Sequence, residues 1–239
     1  MSTLDAQHTP SFPPLMYGEA AADPATHAQM RAVQGCDAGL VAYDLGQSTL
    51  RAAMVFAPDV PLAQAAVMLP LCALSFQNAL GALGPPETAV QLEWSGGIRV
   101  NQARCGAFGI RASTNDPDAV PDWLVIELTL PLWPISDAPG DHPEDTALYA
   151  EGCTDVQAPQ LLESWSRHTL TWLHSWDADG VPPLHEAWRG LAWQMGEDVN
   201  VFGTPGTFIG VDENFGLLLR GADGATQLIP LTRLLETTL

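Results

Sequence analysis

The chain has 239 residues, 46% of them hydrophobic, which suits one ordinary domain, or one large domain with a small appendage, built around a real core. Nine basic residues against 28 acidic ones give a formal charge of -19, and all nine are arginine, so the chain contains no lysine. Such a field repels nucleic acid and anionic membrane surfaces over a Debye length of about 8–10 Å, which sets both aside as partners.

Four cysteines, Cys36, Cys72, Cys105 and Cys153, are too few and too scattered for a disulfide framework, and no Cys-x-x-Cys pair suggests zinc. The expected setting is a reducing cytoplasm. Met1 to Pro14 lacks the basic start and apolar core of a signal peptide, and its three prolines mark a loose arm. The expected organisation is a flexible arm over residues 1–22, a main domain over 23–191 and a small β domain over 192–239.

In chain order, Asp23-Pro24 is a helix start signal for the alanine-rich run to Gln34, because an acidic cap precedes a proline in the first turn. Leu40–Tyr43 and Arg51–Phe56 read as strands joined by a short polar turn at Asp44–Thr49. Leu62–Leu83 is apolar enough to resemble a membrane span. It nevertheless carries Gln64, Ser75, Gln77, Asn78 and Pro70 without flanking cationic anchors, so a buried core helix is expected. Ala89–Trp94 and Ile98–Asn101 form a hairpin around Ser95-Gly96-Gly97, and Cys105–Ala112 and Trp123–Leu130 are further strands.

Residues 134–146 read as an exposed acidic loop. Its Asp141-His142-Pro143-Glu144-Asp145 run is read as solvated, with a divalent cation as the alternative, and no metal is expected. Leu161, Leu162, Trp165, Thr169, Trp172, Leu173 and Trp176 recur at helical spacing and make one amphipathic face. His168 and His174 on that helix are six apart and do not stack as metal ligands. A short helix follows at Pro183–Gly190. Beyond it, short runs at Val199–Phe202, Phe208–Val211, Leu217–Arg220 and Gln227–Ile229 alternate with turn signals, the pattern of a small barrel.

Three places then acquire a common meaning. Glu93-Trp94-Ser95-Gly96-Gly97 leads, ten residues after its tryptophan, to Arg104-Cys105-Gly106. Thr146-Ala147-Leu148 through Gly152 precedes a long helix and a closing Leu184-His185-Glu186-Ala187-Trp188. Gly210-Val211-Asp212-Glu213-Asn214-Phe215-Gly216-Leu217 opens a strand pair. In this order and spacing the chain resembles the biotin and lipoate protein ligase superfamily. Arg104 to Arg111 also resembles a strand of the octanoyl transferases.

The resemblance implies an α+β fold of the class II synthetase and biotin ligase kind: a mixed sheet flanked by helices, followed by a small SH3-like β-barrel. It also implies chemistry, in which an acyl carboxylate joins the α-phosphate of ATP and then passes to a carrier-protein lysine. A Gly/Arg-rich lid, a charge-neutralising lysine and a glycine-rich strand serve the first step.

Measured against that pattern, the turn after Tyr43 is too short for the lid. Glu93 stands where the family has lysine, and the family's Gly-x-Gly-x-Asn strand is Ile126-Glu127-Leu128-Thr129-Leu130 here, its glycines gone and a second acid, Glu127, left in it. At about 4 Å and an effective dielectric of about 20, exchanging attraction for repulsion of about 4 kcal/mol is worth several powers of ten in rate. The expectation is a ligase-like protein that has lost adenylation and keeps a binding role for a small acyl ligand or an acyl-carrier domain. ATP, biotin or lipoate would be cofactors only if activity were retained.

Two alternatives stand beside it. One is a divergent ligase or octanoyl-type acyltransferase working through Arg104 or Cys105, although consecutive strand residues face opposite ways. The other is a structural or regulatory subunit, with two copies pairing through the sheet or barrel. The candidate ligand-binding set is Trp94, Ser95, Gly96, Gly97, Arg104 and Gly106. Together with the charge, the short stretch before the first core helix argues against an N-terminal winged helix and DNA binding.

Overall fold

In the computed structural model, which describes residues 9–134 and 144–237, the first strand comes from a segment expected to be an arm. Tyr17–Ala20 (β1) pairs in parallel with Leu40–Leu45 (β2). Four residues with a glycine among them leave no readable alternation. The next element follows its signals. Asp23 caps α1 (Pro24–Val33) by accepting the Thr26 amide at 3.2 Å, and Pro24 opens the first turn.

Beyond β2, every pairing in the main sheet is antiparallel. β3 (Thr49–Phe56) lies between β2 and β7 (Leu124–Pro131), and β6 (Ala103–Ala112), β5 (Gly97–Val100) and β4 (Val90–Leu92) follow, giving the order β1-β2-β3-β7-β6-β5-β4. Only Gly46, Gln47 and Ser48 connect β2 to β3.

Among the described residues, the apolar run Leu62–Leu83 is the one segment long and apolar enough to cross a membrane, and here it is mostly buried in the core. It divides into α2 (Leu62–Ala65) and α3 (Met68–Leu83) instead of running as one helix. Pro70 supplies the reason: without an N–H it cannot bond the Ala66 carbonyl, which accepts Leu69 N–H at 3.0 Å. α3 and α4 (Ala158–Asp179) cover one sheet face, where Val41, Met54, Phe108, Ile110 and Ile126 are buried. Fully buried Trp165 of α4 donates its indole N–H to Cys72 O of α3 at 2.9 Å. α1 covers part of the other face, setting Ala28 and Ala32 against Leu40, Ala42, Ala53, Val55 and Val125.

The expected β domain is a four-stranded antiparallel sheet, with β8 (Asp198–Val201), β9 (Thr204–Val211), β10 (Leu217–Arg220) and β11 (Thr226–Ile229) in the order β11-β10-β9-β8. No pairing joins β8 to β11 among the described residues. This sheet shares the main core through Phe208, Phe215, Leu217, Leu219 and Ile229. α5 (Pro182–Arg189) leads to it, and Leu92 of β4 ties the segment between them to the main sheet by bonding Leu191 O and Trp193 N–H.

Candidate functional site

Strand register decides which side chains meet on the α1 side of the main sheet. One row crosses it as Gly97, Ala107, Thr129, Arg51 and Asp44, and the next as Gly109, Glu127, Ala53, Ala42 and Glu19. Between these small residues stand charged ones. The opposite sheet face, by contrast, is almost wholly aliphatic and aromatic.

The glycines leave two hollows, and the chain fills both with its own carboxylates. A Cβ on Gly97 would collide with the Glu93 carboxylate, and a Cβ on Gly109 would meet Glu127 Oε1 at 2.5 Å. Each acid is held by an arginine. Glu93 accepts from Arg99 Nε at 2.6 Å, while Arg104 Nε lies 3.9 Å away. Glu127 accepts from Arg111 at 3.1 Å, and Arg111 also donates to Gln29 Oε1 of α1 at 3.0 Å. The Glu93 and Arg99 side chains are only 18% and 12% exposed, so water screens this pair much less than a surface ion pair.

Further along the face, Glu19 pairs with Arg31 at 3.0 Å and with His27 at 2.6 Å, and Asp44 pairs with Arg51 at 3.3 Å. The hydrogen bond from His27 is the main cause holding the Glu19 carboxyl below its usual range. Five arginines, Arg31, Arg51, Arg99, Arg104 and Arg111, thus stand on or beside this face, each with a carboxylate within 4.0 Å. Two donors are unpaired and shielded from solvent: the Nε atoms of Arg31 and Arg111 are buried without an acceptor among the described residues.

The hairpin residues separate into two groups. Trp94, Ser95 and Arg104 line a cavity of about 670 Å³ with Glu93 and Arg99, roofed by Trp193, Phe202 and Phe208. Gly96, Gly97 and Gly106 are not in its lining. Gly96 (φ 98°) and Gly106 (φ 125°) adopt left-handed backbone and bring their strands against the Phe108 and Thr129 carbonyls, where a side chain would clash. Cys105 is fully buried on the far side of the strand from Arg104, and burial pushes its thiol up to about 12.

Trp94 joins all three sequence motifs. Its indole N–H donates to the Phe215 carbonyl at 2.7 Å, and Trp188 packs edge-on against the Phe215 ring at 5.6 Å. The turn that presents Phe215 is closed by Asp212 Oδ1, which accepts the Asn214 and Gly216 amides at 2.9 and 2.6 Å. The shared motifs therefore meet at a buried joint between the two sheets.

Comparison with known proteins accounts for this joint and the sheet. Residues 12–190 match the family model described as the biotin/lipoate A/B protein ligase family. The chain belongs to that family. Residues 195–237 match a domain of unknown function, DUF4444. The crystal structure of a biotin protein ligase-like protein of unknown function from Silicibacter sp. is 58% identical, with a TM-score of 0.91 over 95% of this chain and 99% of that one. Biotin protein ligase from Aquifex aeolicus shares the fold at 14% identity, with a TM-score of 0.74 over 90% of this chain and 96% of that one. The same enzyme in complex with biotin and ATP gives 0.71 at 15% identity, over 91% and 96%. No curated protein matches.

Sequence spacing missed Arg99 and the Arg111–Gln29 contact. The hairpin register carried a signal for the first: Leu92 faces Ile98, which makes Glu93 and Arg99 diagonal neighbours. No local signal existed for Gln29, which reaches the site from α1. Among the described residues no cluster of His, Cys, Asp and Glu could hold a metal. Asp141, His142 and Pro143 of the acidic loop lie outside the described residues.

Proposed function

We propose that this family member no longer adenylates a carboxylic acid, and that it binds a small acyl ligand or the acyl-bearing part of a carrier domain. The observation that carries this reading is the occupancy of the glycine hollows by Glu93 and Glu127. An acyl-adenylate brings a phosphodiester anion and forms with expulsion of pyrophosphate, so its site needs uncommitted cations where charge develops. Here Arg99 and Arg111 are committed to internal carboxylates, and no lysine can substitute. The three-residue β2–β3 turn offers no covering lid.

A binding role is supported by the cavity of about 670 Å³ that Trp94, Ser95, Arg99 and Arg104 line. With Glu93 and Asp198 in the same lining, it suits a neutral acceptor, such as the carbonyl of an acylated group, better than a further anion. A transferase acting through Cys105 is disfavoured, because that thiol is fully buried and stays protonated at neutral pH.

The test is ATP–pyrophosphate exchange with biotin, lipoate and octanoate, run beside calorimetric titration of their amides. No exchange together with saturable amide binding is the expected outcome. Exchange with any of the three acids would return the chain to the active ligases.

A further inference from the structure

On the α3 and α4 side of the sheet, the apolar stripe of α4 outruns its cover. Leu161, Leu162, Trp165 and Thr169 are fully buried, whereas Leu173 and Trp176 are only half covered. These two close a cavity of about 690 Å³ together with Val41, Met54 and Phe56 of β2 and β3 and Met68 of α3. That volume falls in the range of small-molecule sites, about 300–1,000 Å³. Met16 joins Met54 and Met68 in the lining, giving a wall of flexible thioethers that adapts to the shape of an occupant.

The polar part of the lining has one sign. Asp37 and Asp59 are both exposed, and among the described residues neither forms an ion pair. Among the described residues the lining contains no arginine or histidine. Tyr17, Phe56 and Trp176 add aromatic rings, whose faces attract cations. A free carboxylic acid or phosphate would meet two carboxylates and no cation, within a chain that already carries a charge of -19. A molecule with an apolar body and a positive end meets complementary groups at both ends.

We propose that this cavity is a second ligand site, which takes an organic cation with an apolar body, an alkylated ammonium being the simplest example. The site is independent of the acyl-binding reading, since it shares no residue with the arginine–carboxylate pairs or with the Trp94 cavity.

Three probes of equal chain length, decyltrimethylammonium, decanol and decanoate, test it by calorimetry below their micelle concentrations. The cation binds at one site per chain, decanol binds more weakly, and decanoate does not bind. Asp37→Asn with Asp59→Asn weakens the cation by up to about fivefold for each aspartate and leaves decanol unchanged, as suits exposed charges. Leu173→Trp, with its fold checked by circular dichroism, fills the cavity and abolishes binding of both. Decanoate binding as tightly as the cation would overturn the proposal. So would a cation that ignores all three substitutions, one that binds at many sites, or the absence of binding by any probe. The two aspartate substitutions lie at exposed positions and carry no folding risk, so the charge test stands even if Leu173→Trp does not fold.

Discussion

The two faces of the seven-stranded sheet use the same backbone for opposite purposes. On the α3 and α4 side, Phe108, Ile110, Ile126, Leu128 and Trp165 are buried together away from water. On the α1 side, glycines and alanines keep the surface low, and arginines and acids occupy the space above it. The first face holds the fold together by removing apolar area from water, and an alanine there opens a void. The second is a charge lattice in which every arginine already has a carboxylate, and an alanine there leaves an ion exposed to a partner it lacked before.

The largest test of this contrast is Trp165→Ala. It deletes a fully buried indole and its hydrogen bond to the Cys72 carbonyl, so unfolding free energy should fall by about 3–5 kcal/mol in a denaturant titration. Glu127→Ala should cost less, about 1–3 kcal/mol, because it strands a half-buried Arg111 that keeps its bond to Gln29. If Glu127→Ala destabilised as much as Trp165→Ala, the charge lattice would be part of the structural core and the contrast would collapse.

A third effect concerns Cys105. Its folded thiol ionises only at about 12, while the unfolded thiol ionises near 9, so unfolding between these values releases a proton. Stability is therefore complete below about pH 9 and should fall above it by about 1.4 kcal/mol per pH unit for this thiol, a slope that Cys105→Ala removes. The same burial predicts no alkylation of Cys105 by iodoacetamide in the folded protein at pH 8, followed by mass spectrometry, and full alkylation after denaturation.

The smallest effect belongs to Glu19. Its folded carboxyl is held down, so the stability it contributes is present above the ordinary glutamate range and is lost as pH falls through the folded value. His27→Ala should flatten the acid limb of the melting temperature as pH falls through and below the ordinary glutamate range.

How far such features could be read from the chain depends on how local their causes are. α1 was legible because Asp23 and Pro24 act within one turn, and α4 because its apolar period runs for several turns. β1 was not, since a four-residue edge strand owes its existence to β2 alone. The division of Leu62–Leu83 could have been read from Pro70, which fixes the missing bond. In the site, the Trp94 hairpin and its glycines were visible as spacing. The roles of Arg99 and Arg111 were hidden because they depend on cross-strand register, on an irregularity between Gly97 and Arg99, and on a helix 82 residues away from Arg111.

The central claim is that Glu93 and Glu127 hold the arginines that would otherwise receive a phosphate-bearing ligand. Calorimetric titration of pyrophosphate into the wild-type chain and into Glu93→Gln/Glu127→Gln tests it most directly. The wild type should show no saturable binding, and the double variant should gain at least about tenfold, the return from two charges of about 1 kcal/mol each. Equal pyrophosphate affinity in the two proteins, or tighter binding by the wild type, would contradict it.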